Sequence, residues 1–192
     1  MVKKIFLTLV CMSSFWNVIH AQDVFSKGQN NLNLGIVVGN LLDEDEIDGI
    51  PTITLSYERC IIDGLINGKA SVGVGAYASF LTDSNEEGYG PYKFKYRWND
   101  WVIGTRGAFH YQFVKRLDTY AGLMLGVNVA TTSVTSKNQN IDSDLIPKTK
   151  PTYHFAHSEF IGARYYFSDK LAAFAETGYR LSAFHMGISF KF

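Results

Sequence analysis

The 192 residues carry 18 lysines and arginines against 18 aspartates and glutamates, a balance that excludes a basic nucleic-acid binder. The length suits one domain. Of the two cysteines only Cys60 lies beyond residue 21, so an exported form of the chain has no internal disulfide and must gain its stability elsewhere.

Residues 1–21 have the layout of a cleavable signal peptide. Lys3 and Lys4 form a basic start, residues 5–19 are mostly apolar, and Ala21 ends a small-residue cleavage site with Ile19 two positions before it. The apolar run is broken by Ser13, Ser14 and Asn17 and is too short for a membrane helix, which needs about 20 apolar residues. Val10 precedes Cys11 where a lipid-attachment site wants a small residue, so a lipoprotein is rejected. Cleavage after Ala21 removes two lysines and leaves residues 22–192 with 16 basic and 18 acidic side chains, a net charge of −2.

No later stretch is long and apolar enough for a membrane helix. What recurs instead is alternation with period two, the signature of strands. In chain order the apolar sets are Leu32 to Val38, Ile53 to Tyr57, Ala70 to Phe80, Trp101 to Phe113, Ala121 to Val129, Ile161 to Phe167, Ala173 to Tyr179, and the closing set Phe184, Met186, Ile188, Phe190 and Phe192. That is eight strands, an even number, which puts both termini on the same side of whatever the strands cross. Residues 40–49 form an acidic loop with Asp43, Glu44, Asp45, Glu46 and Asp48, a cluster able to hold cations or basic partners and equally suited to staying solvated. Residues 82–99 and 134–152 read as long polar loops, while 114–116 and 168–170 read as short turns. Long loops at one end and short turns at the other describe an outer-membrane barrel. Residues 60–68 are long for a turn at the short end, and the link near Ser182 is short for the other.

The opposite face of each strand decides which side is wet. It is crowded with Gly35, Gly73, Gly75, Gly104, Gly122, Gly126, Gly162 and Gly187, together with Asn31, Asn33, Ser71 and Ser189. Glycine weakens a strand unless space is tight or the sheet bends sharply, and a narrow eight-stranded interior supplies that reason. The small polar face is therefore assigned to the lumen and the apolar face to lipid. Lipid offers no partner to a free strand edge, so the sheet must close on itself. Tyr57, Trp101, Tyr111, Phe113, Tyr165, Phe167 and Phe192 fall near predicted strand ends on the apolar face, where aromatic girdles belong. Glu58, Arg106, Arg164, Glu176 and His185 have lumen parity. A lone buried charge is expensive, so a network joining Glu58 and Glu176 to Arg106 and Arg164 is expected, filling the interior or gating a small polar channel.

Two places break the alternation. Glu159 counts onto the lipid face, which calls for a position above the bilayer or a bulge. Around Asn99 and Asp100 the aromatic parity changes, from Tyr92, Phe94, Tyr96 and Trp98 to Trp101 and Ile103, and a second bulge is expected there.

The signal layout, the eight alternations, the stretch "FIGARYYFSDKLAAFAETGYR" and the closing "HMGISFKF" resemble the small outer-membrane β-barrels of Gram-negative bacteria, of the OmpA, OmpX and OmpW type. The resemblance covers residues 22–192 and implies an all-β fold, an eight-stranded antiparallel up-and-down transmembrane barrel. It implies outer-membrane lipid and lipopolysaccharide as surroundings, and the barrel assembly machinery as a partner that reads the terminal strand. It implies neither a cofactor nor nucleic acid, and the barrel is expected to be a monomer. No peptidoglycan-binding domain is expected after it. A structural, adhesive or surface-interaction role fits best; porin-like, OmpW-like passage of small molecules is the alternative. A lipid A-modifying enzyme would draw on His154, His157, Ser158 and Glu159, but His157 and Ser158 are adjacent and so point to opposite faces of a strand. No catalytic or metal-binding residue is assigned. A soluble lipocalin-like carrier would need the apolar face turned inward.

Overall fold

The computed structural model describes residues 24–38, 51–89, 93–136, 146–179 and 184–192. The signal segment, the acidic loop with Asp43, Glu44, Asp45, Glu46 and Asp48, and the link at Ser182 lie outside the described residues. Eight strands follow in order: β1 (Asn30–Val37), β2 (Ile53–Gly64), β3 (Ala70–Glu87), β4 (Phe94–Val114), β5 (Leu117–Ser136), β6 (Thr152–Tyr166), β7 (Leu171–Gly178) and β8 (His185–Lys191). Each pairs antiparallel with the next, and β8 pairs with β1, closing the ring. The seam runs in register, with Leu34 opposite Ile188 and Gly35 opposite Gly187. Asn30 and Phe192 finish it with two backbone hydrogen bonds of 3.0 Å.

Glycine lets the wall curl this tightly. A Cβ on Gly75 would lie 1.8 Å from the Tyr57 carbonyl oxygen, and one on Gly187 would lie 2.0 Å from that of Leu34. No side chain fits at either place. Both residues face inward, where the concave side of a small barrel brings neighbouring backbones together.

The strands differ in height. β1, β7 and β8 have 8, 8 and 7 residues, whereas β3, β4 and β5 have 18, 21 and 20. Among the described residues β7, β8 and β1 are short, whereas β3, β4 and β5 form a tall wall. This corrects the reading of 82–99 and 134–152 as loops. Residues 82–87, 94–99 and 134–136 are strand, because their backbone pairing continues after the outward side chains turn polar. On β3–β5 the outward residues beyond Phe80, Trp101 and Val129 include Thr82, Ser84, Arg97, Asn99, Thr131 and Ser133.

No bulge forms at Asn99, where one is expected, nor at Glu159, where one is an alternative. β4 pairs with β3 and β5 without a shift through Asn99 and Asp100, and β6 pairs with β5 without a shift through Glu159. What changes at Asn99 is the surroundings of the two faces, not the register: Phe94, Tyr96 and Trp98 share the inward parity of Val102 and Arg106. Glu159 keeps its outward parity opposite Leu123 on β5, between the outward Phe155 and Tyr165 of its own strand, and its carbonyl accepts a 2.9 Å hydrogen bond from the Tyr179 N–H, just past the end of β7. Register shifts do occur lower down, between Cys60 and Ile62 and between Tyr111 and Val114. The connection at 60–68 is mostly strand, followed by one short helical turn, Leu65–Gly68, in which Ile66 and Asn67 take left-handed backbone.

Aromatic side chains form two outward belts. Tyr57, Tyr111, Phe113, Tyr165, Phe190 and Phe192 lie toward the end that holds the termini. Phe80, Trp101, Tyr153 and Phe155 lie toward the other end, with the Phe80 and Trp101 rings 4.4 Å apart. Trp101 stands inside β4 rather than near its end, since β4 continues past the belt to Phe94. Between Tyr111 and Trp101, ten strand residues rising about 3.3 Å each at a tilt of roughly 40° span about 25 Å, the height of the apolar band of such barrels.

Candidate functional site

The polarity of this molecule is inside out. Ile103, Leu123 and Ile161 point outward and are 59%, 58% and 61% exposed, whereas Glu58 and Arg164 point inward and are 0% exposed. A soluble carrier with an apolar interior would have the reverse arrangement. Two charged groups lie in the lumen.

The group nearer the termini gathers side chains from four strands. Arg164 on β6 reaches Glu58 on β2 at 2.5 Å and Asp118 on β5 at 3.0 Å. His110 on β4 lies between the same two acids, with Nε2 2.7 Å from Glu58 Oε1 and Nδ1 2.9 Å from Asp118 Oδ1. Carboxylate oxygens only accept, so both ring nitrogens donate and the four groups together carry no net charge. Phe25, just before β1, covers this group from below, its ring 4.4 Å from that of His110. A polar vestibule of about 190 Å³ remains at this mouth, lined by Phe25, Asp63, Lys69, Ser71, His110 and Asp118 among others.

The second group lies higher. Arg106 on β4 holds Glu176 on β7 with a short bond of 2.8 Å, and His185 on β8 lies 3.1 Å from the other Glu176 oxygen. Aromatic rings join the two groups. The Arg164 guanidinium lies 4.5 Å from the Tyr120 ring centre and the Arg106 guanidinium 5.9 Å from it, with the Phe160 ring 4.0 Å from Arg106 on its own account. The space left among Tyr77, Arg106, Met124, Ser158, Phe160, Glu176 and His185 is about 10 Å³, room for one water at most.

The protein is an eight-stranded transmembrane β-barrel. The structure places Glu58, Arg106, Arg164, Glu176 and His185 inside it, paired as Glu58 with Arg164 and Glu176 with Arg106. Sequence reading missed His110, Asp118 and Phe25. His110 stands four residues after Arg106 and shares its parity, so the signal was present. Asp118 was hidden beside the turn at 114–116. Phe25 precedes the first alternation, and nothing in its neighbours marks it.

Of the closing set, Met186, Ile188, Phe190 and Phe192 face outward. Phe184 stands just before β8, where its carbonyl accepts from the Val38 N–H. His157 and Glu159 face outward while Ser158 is buried, its Oγ donating to the Glu159 carbonyl oxygen at 3.3 Å, so these residues do not assemble a Ser–His–acid relay. Among the described residues no group of three His, Cys, Asp or Glu side chains is placed to hold a metal ion.

No family model and no curated protein matches this chain. Among solved structures the barrel is similar to Ail, the attachment invasion locus protein of Yersinia pestis, determined in complex with the heparin analogue sucrose octasulfate. Identity is 11% and the TM-score 0.49, over 87% of this chain and 100% of that one. A de novo designed transmembrane β-barrel is similar at 14% identity and a TM-score of 0.47, over 87% of this chain and 98% of that one. At such identities the likeness is one of fold alone.

Proposed function

We propose that this chain is an integral outer-membrane protein, exported by a signal peptide cut after Ala21, whose lumen is structural and whose far end meets the surroundings of the cell. The terminal strand, ending at Phe192, is handed to the barrel assembly machinery, and lipopolysaccharide surrounds the outer leaflet band. The filled lumen carries this reading. Ion pairs and the rings between them occupy the cross-section, and the roughly 10 Å³ left at the upper group holds one water at most, which supports a lumen that does not pass solutes. The tall wall of β3–β5 rises beyond the upper belt and offers contact area at the end away from the termini. The expected role is therefore surface interaction rather than transport.

Conductance tests this choice. Purified protein in planar bilayers should give no reproducible single-channel steps. Regular steps that disappear when Arg106 or Arg164 is replaced would assign the lumen to passage of small molecules.

A further inference from the structure

Above the upper belt the two faces of the wall exchange character. The outward face is polar and carries the bases Lys95 and Arg97. The inward face carries Phe94, Tyr96 and Trp98 along β4, with Asp100 on the same strand and Asp83 and Glu87 across from it on β3. No lysine or arginine of β3, β4, β5 or β6 has inward parity in this region. The rings and three of the four acids thus lie on one side of the sheet; the bases lie on the other, where Glu86 is paired with Lys93.

We propose that this inward face binds the basic side chains of a polypeptide, seating an arginine or lysine over Trp98 between Asp83 and Asp100. The inference rests on the reading that this end of the barrel lies outside the membrane. Trp98 is the centre of the arrangement. Asp83 is directly opposite it on β3, and Asp100 is the next residue along β4 on the same face. Side chains directly opposite in antiparallel strands have their Cβ atoms about 5 Å apart. Tyr96 stacks on Trp98, with ring centres 6.1 Å apart and planes inclined by 15°. A cation within about 6 Å of an indole face is attracted by the ring quadrupole, and two carboxylates beside that face add charge complementarity and orientation.

The spacing favours a polypeptide over a small amine. Asp83 and Glu87 are four strand residues apart, about 13 Å, and the rings of β4 repeat every second residue beside them. Contact points at a strand's own repeat match a chain that carries basic side chains at that repeat. An anionic glycan would meet the carboxylates, and a neutral one would have no use for them.

The test uses the full mature chain in detergent micelles. Trp101→Phe leaves Trp98 as the only tryptophan after residue 21, so its emission reports the site. Titration with hexa-arginine should give a saturable change. In the D83N/D100N double variant the affinity should fall at least tenfold, while E86Q, on the outward face beside Lys93, should leave it unchanged. No saturable change, equal affinity in the double variant, or an equal response to maltohexaose or heparin would overturn the inference. Faster migration of unheated samples on gels shows that each variant is a closed barrel. Failure to bind by a barrel that still migrates this way overturns this inference alone and leaves the membrane reading standing.

Discussion

Arg164→Ala should destabilise the barrel by about 3–5 kcal/mol, the cost of removing one partner from a buried ion pair. The guanidinium holds Glu58 and Asp118 together where Glu58 and Arg164 are wholly buried. Without it, one imidazolium at His110 faces two carboxylates, and one negative charge is left inside the wall with neither water nor a partner. The stacking of Arg164 on Tyr120 is lost as well. Urea titration in lipid vesicles, followed by the loss of the fast-migrating unheated form, measures the effect. Glu58→Gln combined with Arg164→Met should recover most of the loss, because it removes both charges and leaves Asp118 paired with His110. An unchanged midpoint for Arg164→Ala would contradict the pairing.

The second large effect concerns the outer face. Leu125 points outward, is 54% exposed and lies midway between the two belts, opposite Thr105 and His157. Leu125→Arg should cost about 2–4 kcal/mol, the penalty for a cationic side chain at the midplane of a bilayer. Thr131→Arg has the same outward parity on the same strand but stands just beyond the belt, opposite Asn99. Its cost should be about 0–1 kcal/mol, the value near the interface. The same urea titration measures both. Equal costs at the two sites would mean that no hydrocarbon boundary lies at Trp101 and Val129.

Period-two alternation made the sidedness of this barrel legible, because one face must meet lipid and the other a crowded lumen. It placed Leu34 and Ile188 outside, Glu58 and Arg164 inside, and the last strand beside the first. It did not reveal where the strands end. Beyond Trp101 the alternation continues with exchanged polarity, and on paper that exchange looks the same as a bulge. Only the unbroken pairing of Asn99 with Thr82 and Thr131 separates the two. Turn assignment had a similar cost at Asp118, whose parity matches Tyr120 and Met124 but whose neighbours Lys115 and Arg116 read as loop. Partner choice was not legible either. Parity puts four charges in one lumen, whereas their heights decide which acid meets which base, and height depends on strand tilt and shear.

Extraction from cell envelopes tests most directly the claim that the outward face lies in a bilayer. The protein should stay in the membrane fraction through high salt and alkaline carbonate and leave it only with detergent. Unheated, it should then migrate faster on a gel than after boiling. Release as a soluble protein without detergent would contradict the membrane-spanning barrel, and with it the assignment of the outward face to lipid.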